Sequence, residues 1–367
     1  MVRRLRCSQF AKPSNLNLRN SNFLIELMKN FFKILALLIS FSAAAQDPQF
    51  SQYYQAPLYL NPGFTGITPQ HRFVANHRLQ WPSLPQAFST YAVSYDIFVN
   101  ELRSGFGFLF TTDKMGSAGW RTTTGSLMYS YKVKLTENII FSPGLSFGYG
   151  SNGLDRSKLR LGDGLEYDGI SLDPELNKLG RQSHFDFGAG FLLYSKTMWV
   201  GTSFQHMNRP NLSVLNEVSR LDVKTSIHGG IRLSLNGGLI KRARTSYLTP
   251  SFIYRMQGKT FTQLDLGLNY HIDPISVGVW YRGKPFQRTV INSVAQDALI
   301  LYLGLYFKNL TIGYSYDFTI SELQTSSGGA HEVSIVYEFN SKSKKSVKKK
   351  YRLIPCPTFN SKEGFWN

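Results

Sequence analysis

The chain has 367 residues, of which 42% are hydrophobic, 14% aromatic and only 17% charged, and its formal net charge is +18. Soluble domains usually contain about 25% charged residues, so the chain is unusually poor in charge for a soluble protein. Its 31 glycines and many aromatic residues suit numerous strands joined by turns, some of them facing lipid. Cys356 is the only cysteine outside the leader predicted below, which excludes an internal disulfide and a cysteine-based metal site.

The N-terminal residues are predicted to be a leader. Residues 28–45, MKNFFKILALLISFSAAA, combine lysines, a short apolar run and a final Ala-Ala-Ala, as a secretory signal peptide does. The alternative is a membrane-spanning helix, but the apolar run is shorter than the roughly 20 residues that a bilayer requires. Residues 1–27 are interpreted as an upstream extension, so we expect the exported chain to begin at Gln46.

From residue 70 onward the sequence alternates between apolar and polar residues. In LTIGYSYDF, for example, Leu310, Ile312 and Tyr314 share one face, whereas Thr311 and Ser315 share the other. Segments of about ten residues with this pattern are typical of strands that cross a membrane, with one face toward lipid and one toward a polar interior. About fourteen such segments lie near 70–80, 88–98, 103–112, 120–133, 138–150, 183–195, 198–206, 224–235, 246–256, 261–270, 275–283, 297–307, 310–318 and 330–339.

The connections between these segments tend to alternate between short and long, which is typical of outer-membrane barrels. The sequence therefore predicts an all-β fold: a transmembrane antiparallel barrel over residues 70–339, with about fourteen strands and both chain ends in the periplasm. A soluble β-sandwich or propeller is the alternative, because its strands alternate in the same way. The short connections are 98–102, 134–138, 195–197, 271–274 and 308–309, and the long ones are 151–182, 207–223, 284–296 and 319–329. Two connections depart from this order, since 257–260 is short on the side of the long loops and 236–245 is a longer periplasmic turn.

No catalytic or metal site is predicted. Ser146 is central in GLSFG and matches the nucleophile motif G-x-S-x-G, but the motif lies inside an alternating strand rather than at a strand-to-helix turn. None of the seven histidines forms an H-x-x-x-H or H-E-x-x-H pair, so we expect them to face the lumen or lie in loops. The carboxylate-rich segment 151–182 lacks the usual calcium-loop pattern, which favours a solvated loop or a surface for a protein partner. We expect no enzyme activity and no cofactor.

The last segment, residues 340–367, begins with the basic run SKSKKSVKKKYR. Basic runs bind nucleic acid in some proteins, but an exported chain does not meet nucleic acid where it works. We interpret the segment as a periplasmic tail that serves either as a flexible linker or as a tether.

Several motifs resemble those of PorP/SprF outer-membrane proteins of the type IX secretion and gliding machinery. The family opening Q-D-P-x-F-S-Q-Y, followed by P-L-Y-x-N-P-A-Y-A-G, is similar to residues 46–66, except at Gly63, Phe64 and Thr65. VGVWYRG at 277–283 is a second specific match. The positions of the opening motif that match are Gln46, Asp47, Pro48, Phe50, Gln52, Tyr53, Asn61, Pro62 and Gly66.

The residues of the opening motif do not show the alternating pattern of a strand. Several prolines prevent residues 46–69 from forming a helix or a central strand, whereas Gln, Asn and Tyr side chains can form hydrogen bonds in a polar lumen. We expect this segment to fold back into the barrel as a plug. The alternative is a disordered periplasmic leader.

The resemblance implies a non-enzymatic function in the outer membrane of a Gram-negative cell. Such proteins support secretion and surface attachment of adhesins or enzymes that carry a type B C-terminal sorting domain, and some assist gliding motility. The implied partners are these secreted proteins, other type IX secretion components and outer-membrane lipid. The candidate contacts are Arg160, Asp163, Tyr167 and Asp168. A diffusion porin or small-molecule channel on the same fold is the alternative.

Overall fold

Antiparallel strands make up most of the regular structure of this protein. The computed structural model describes residues 47–84, 87–116, 119–154, 180–214, 218–235, 246–258, 261–288, 294–320 and 327–339. One short α-helix, α1 (Pro57–Leu60), and 3-10 turns at Tyr53–Gln55, Pro62–Phe64 and Asn100–Leu102 complete the regular elements of these residues. No helix among them is long and apolar enough to span a membrane.

Each predicted alternating segment forms a strand. The strands are β1 (His71–Gln80), β2 (Phe88–Val99), β3 (Ser104–Met115), β4 (Trp120–Tyr131), β5 (Val133–Lys134), β6 (Ile140–Gly153), β7 (Gln182–Tyr194), β8 (Met198–Gln205), β9 (Lys224–Ile231), β10 (Leu233–Ser234), β11 (Ser246–Gln257), β12 (Phe261–Ile272), β13 (Ile275–Arg288), β14 (Val294–Phe307), β15 (Leu310–Thr319) and β16 (Ala330–Phe339).

The strands close into a barrel because the first pairs with the last. His71 of β1 lies opposite Phe339 of β16, and the pairing continues to Gln80 opposite Ala330. The two-residue strands β5 and β10 continue β4 and β9, since they pair with β6 and β11 as those strands do. The result is the closed antiparallel barrel of fourteen strands that the sequence predicted.

The alternation in sequence separates a lipid-facing wall from the lumen. In β16, Val333, Ile335 and Tyr337 point outward and are 40–45% exposed, whereas Glu332 and Ser334 point inward and are fully buried. Because successive side chains of a strand point to opposite faces, the same division repeats around the barrel. The outward surface is apolar, and the inward surface carries most of the polar and charged side chains.

The two ends of the barrel differ, as expected for this class of fold. At one end, which we call the turn end, strands are joined by short segments such as 195–197, 273–274 and 308–309. At the opposite end, the loop end, β8 and β9 are joined by residues 206–223, which we call the outer loop. The long connection between β6 and β7 is also at the loop end, and most of it lies outside the described residues.

Two sequence expectations are wrong in part. Residues 284–296 are not all loop, because β13 continues to Arg288 and β14 begins at Val294, with register shifts that interrupt the alternation. Three histidines face neither the lumen nor a loop. His71 and His77 lie on the outward face, stacked on Phe339 and Tyr91, and His331 contacts Tyr314 there, where aromatic girdles meet the membrane surface.

A charge on the outward face tests which surface meets lipid. Leu303 of β14 is 48% exposed and is flanked on the same face by Leu301 and Leu305. We expect Leu303→Arg to destabilise the folded barrel, by up to about 2–4 kcal/mol at the bilayer midplane, in urea unfolding measured in lipid vesicles. Leu303→Met is the matched control and should be nearly neutral. Equal stability of the two variants would contradict the assignment of this face.

Candidate functional site: a plug inside the barrel

Residues 47–70, which we call the plug, run through the inside of the barrel before β1 begins. Their side chains are largely buried, and Gln52, Gln55 and Asn61 have no exposed surface. Pro57 and Pro62 each start a short helical turn and prevent a longer helix from forming. The segment therefore lies where the sequence analysis expected a plug, with compact turns in place of regular structure.

A buried ionic cluster holds Ser51, in the loop-end half of the plug. Ser51 Oγ donates a hydrogen bond of 2.6 Å to Asp317 and accepts bonds of 2.6 and 2.9 Å from Arg78 and Arg282. Its backbone N–H donates to Glu332 over 2.7 Å. Ser51 thus joins charged groups that come from four different strands.

The charges of this cluster are matched by neighbouring charges. Arg78 forms ion pairs of 2.9 and 3.3 Å with Asp317 and Glu332, and Arg282 pairs with Asp317 over 3.0 Å. Arg282 also reaches Asp265 over 3.4 Å. Removing one partner from such a buried network leaves an uncompensated charge, which typically costs about 3–5 kcal/mol. The cluster is therefore stable only as a complete set.

Gln52 adds a second set of contacts to the same wall. Its side-chain amide donates to Ser315 Oγ and to the backbone carbonyl of Glu332, over 3.1 and 2.9 Å. Its carbonyl oxygen accepts from Ser334 Oγ over 2.6 Å. These bonds fix the position of the plug along β15 and β16, because the amide nitrogen donates to two wall oxygens while the amide oxygen accepts from a third.

Aromatic packing follows the ionic cluster along the plug. Tyr53 packs edge-on against Trp280, with ring centroids 5.1 Å apart, and Tyr54 stacks on the same indole at 5.9 Å. Tyr54 also meets Tyr302 edge-on at 5.2 Å. Pairs of this kind contribute about 0.5–1.5 kcal/mol each beyond their buried area, so they stabilise the plug independently of its charges.

Asn61 anchors the middle of the plug to the opposite wall. Its side-chain nitrogen lies 3.1 Å from the backbone carbonyls of Phe191 and Thr202, and 3.1 Å from His228 Nε2. Its oxygen accepts a 2.7 Å bond from the N–H of Gly63, which caps the following turn. A single side chain thus connects β7, β8 and β9 to the plug.

A lysine and a carboxylate hold the plug near the turn end. Lys132 Nζ donates to the carbonyls of Gly63 and Thr65, over 3.2 and 2.8 Å. Gly66 N–H donates a 2.7 Å bond to Asp96, which is held by a bidentate pair with Arg72. Gly66 has φ +60°, a conformation that suits glycine, and this explains the last glycine of the opening motif.

Wall glycines create the space that the plug backbone occupies. A Cβ atom on Gly144 would lie 2.4 Å from the carbonyl carbon of Pro62, and one on Gly105 would lie 2.2 Å from the Thr65 oxygen. A Cβ on Gly190 would lie 2.0 Å from Asn61 Oδ1. Any larger residue at these positions is incompatible with the plug where it now lies.

At the loop end, Asp47 is held by a cluster that we call the Asp47 clasp. His206 Nε2 lies 2.7 Å from Asp47, His206 Nδ1 lies 3.0 Å from Asp186, and Lys224 Nζ lies 3.3 Å from Asp47. Burial opposes ionisation of Asp47, but His206 and Lys224 hold its pKa well below the ordinary range. Burial also opposes protonation of His206, but the Asp47 and Asp186 carboxylates raise its pKa to about 10. Asp47 and His206 are therefore both ionised near neutral pH.

The site is built for packing and hydrogen bonding. The cavity left between the plug and strands β8, β9 and β11 has a volume of about 10 Å³ and is lined by residues such as Tyr59, Lys224 and Arg255, which is space for about one water molecule. Within the described ranges no cluster of His, Cys, Asp and Glu has the arrangement of a metal site. Ser146 lies inside β6, opposite Gly188 of β7, and is not at a strand-to-helix turn.

The matching residues of the opening motif come together in the lumen, with one exception. Asp47, Pro48, Phe50, Gln52, Tyr53, Asn61, Pro62 and Gly66 belong to the plug. Gln46 and the candidate partner contacts Arg160, Asp163, Tyr167 and Asp168 lie outside the described residues, as do the leader 1–45 and the tail 340–367.

Sequence reasoning missed the residues of the wall that hold the plug. The signal for them was present, since Arg78, Asp96, Arg282, Asp317 and Glu332 are charged residues on the polar faces of otherwise apolar strands. The alternation predicts that they face inward, but it does not indicate which of them lie close together.

The fold and the filled lumen define the class of this protein: it is an outer-membrane-type β-barrel with an internal plug. The chain belongs to the family described as type IX secretion system membrane protein PorP/SprF, which matches residues 42–337. That match covers the plug and the barrel and confirms the resemblance stated from the sequence motifs.

The solved structures that match this chain include two toluene transporters. The toluene transporter TodX of P. putida is 11% identical, with a TM-score of 0.43 over 77% of this chain and 94% of that one. The toluene transporter TbuX of Ralstonia pickettii is 10% identical, with a TM-score of 0.43 over 78% and 93%. No curated protein sequence matches significantly. Likeness at this level says nothing about the function of this chain.

Substitution of a wall glycine tests the fit of the plug. We expect Gly144→Val to displace the plug but to leave the barrel closed, because the new side chain overlaps the backbone at Pro62 whereas valine suits a strand. Limited proteolysis should cut residues 47–70 at least about tenfold faster, with the strands still protected. Gly125→Val is the control, since a Cβ there meets only the Phe108 ring, at 3.7 Å. Unchanged protection of the plug in Gly144→Val would contradict the fit.

The Asp47 clasp should weaken as the pH rises. His206 has a raised pKa in the folded protein, so its stabilising effect is complete below its ordinary pKa of about 6.5 and is lost as the pH approaches about 10. Protease cleavage near the start of the plug, corrected for the activity of the protease at each pH, should therefore increase over this interval. His206→Gln should remove most of this dependence. A variant with the same pH profile as the unaltered protein would show that His206 is not responsible.

Proposed function

We propose that this protein is a non-enzymatic outer-membrane barrel that supports type IX secretion and holds secreted proteins with a type B C-terminal sorting domain at the cell surface, in some settings for gliding motility. Membership of the PorP/SprF family supports the assignment to type IX secretion. The observation that carries the binding function is the plug, which forms hydrogen bonds and ion pairs with strands around the wall. A barrel with an occupied lumen is better suited to binding at its ends than to passage of solutes.

The outer loop provides a surface for such binding at the loop end. Arg209 pairs with Asp222 over 2.6 Å, and Asn211 and Arg220 form a β-bridge between its two arms. Met207 and Val218, which flank these contacts in the sequence, are 52% and 76% exposed. The loop therefore presents apolar side chains on an ordered support, and we propose it, with the segment 151–182, as the place where a secreted partner binds.

Export by the predicted signal peptide completes the proposal. Cleavage after Ala45 would deliver the plug and barrel to the outer membrane, with the turn end toward the periplasm as short turns require. The basic segment 340–367 would then lie in the periplasm, where it is available to other components of the secretion system.

Capture of a partner from native membranes tests the binding function. A protein with a C-terminal tag, solubilised in mild detergent from its own outer membranes, should bring down a large secreted protein with a C-terminal sorting domain. Replacement of residues 209–214 by Gly and Ser should reduce capture at least about tenfold without loss of the folded barrel, whereas the same replacement at Lys308 and Asn309 should not. Recovery of the barrel alone in every case would contradict the proposal.

The diffusion porin remains the alternative, and conductance separates the two. The intact protein in planar bilayers should show low conductance, and deletion of residues 47–66 should raise it, because the described plug fills the region that the deletion empties. A large, steady conductance of the intact protein would favour the porin. Unchanged low conductance after the deletion would show that the plug does not close the barrel.

A further inference from the structure

The contacts of Asp47 place the first described residue of the plug at the loop end. His206 follows the last residue of β8, Lys224 is the first residue of β9, and Gln257 is the last residue of β11. All three of these residues lie at the loop end. Asp47 reaches His206 and Lys224 through its carboxylate and Gln257 through its backbone N–H, over 3.4 Å.

The direction of the plug follows from its successive contacts. Ser51 meets Glu332, close to the loop end of β16, whereas Thr65 meets Ser130 and Lys132 close to the turn end. The chain therefore enters the barrel at the loop end, descends to the turn end and there begins β1. The end that a signal peptidase would expose is the end that lies nearest the outside.

The Asp47 clasp is continuous with the outer loop. Gln257 accepts a bond from the Asp47 N–H and donates one of 3.3 Å to the Asp222 carbonyl. Asp222 in turn pairs with Arg209, and His206 is the first residue of the same loop. Two short paths thus connect the start of the plug to the outer loop, one through His206 and one through Gln257.

We propose that the leading end of the plug is displayed on the outside of the membrane, where it forms a single interaction surface with residues 206–214 and 218–223 of the outer loop. This arrangement deepens the proposed function, because a secreted protein bound at the loop end contacts the start of the plug as well as the loop. Only the identity of this partner rests on the proposed function. The accessibility of the leading end does not require any partner, so this inference and the proposed function can fail separately.

Labelling of intact cells tests the inference. A single cysteine flanked by Gly and Ser is inserted between Gln46 and Asp47, in a Cys356→Ser background, and cells are treated with a membrane-impermeant maleimide. We expect labelling comparable to that of Val218→Cys in the outer loop and at least about tenfold above that of Asn309→Cys in a turn. Labelling of the inserted cysteine only after the membrane is permeabilised would overturn the inference.

A second measurement needs no insertion, so it decides the matter if the inserted chain fails to fold. In purified barrels, Asp47→Ala should speed hydrogen exchange about tenfold in two segments at once: the start of the plug and residues 218–223 of the outer loop. Lys134→Ala, which removes an exposed pair with Glu137 at the turn end, is the control and should change neither. Faster exchange in the plug with an unchanged outer loop would show that the two do not form one surface.

Discussion

The width of a fourteen-strand barrel is the constraint on which the rest of this structure depends. Small barrels of about eight strands are filled by their own inward side chains, whereas those of about sixteen leave a water-filled channel. In this barrel, Arg78, Asp317 and Glu332 face the lumen and are almost fully buried, because Ser51 and Gln52 of the plug cover and bind them. The plug therefore fills the lumen and supplies the core that the inward side chains of the strands do not provide by themselves. Without it, the wall would enclose a wide polar space.

The plug is held in two physically different ways along its length. Near the loop end the contacts are ionic and polar, as between Ser51 and Asp317, and water can replace such partners if the chain moves away. Near the turn end Lys132 and Asp96 also form polar contacts with the plug, but there the plug backbone additionally lies against Gly105 and Gly144, so closely that no Cβ atom fits between them. Such steric contact has no substitute, because a gap there loses packing on both sides. The loop-end half therefore depends on matched charges, and the turn-end half depends also on the close fit of its backbone against the wall.

How far the sequence predicts this structure depends on the distance over which each feature is determined. Strands and their inward faces follow from alternation between neighbouring residues, so all of the barrel strands were predicted. Their observed ends differ from the predicted ones by a few residues, most clearly at the bulged ends of β13 and β14. Proline content and polar composition predicted that residues 46–69 would occupy the lumen. The partners of the plug were not predictable, because contacts such as that of Ser51 with Glu332 join residues 281 positions apart. Periodicity assigns a residue to a face but does not specify which residue of a distant segment it contacts.

An occupied lumen limits where a partner can bind. The outward face of the wall is apolar and meets lipid, and the turn end offers short connections such as Lys308 and Asn309. The loop end offers the outer loop, whose base is joined to Asp47 through His206 and Gln257. From Asp47 the chain reaches the ionic cluster at Ser51 within about 15 Å of backbone, since an extended chain spans about 3.3–3.6 Å per residue. The outer loop is therefore connected to the buried charges through the contacts of Asp47 and a short stretch of plug backbone, and not through the wall of the barrel.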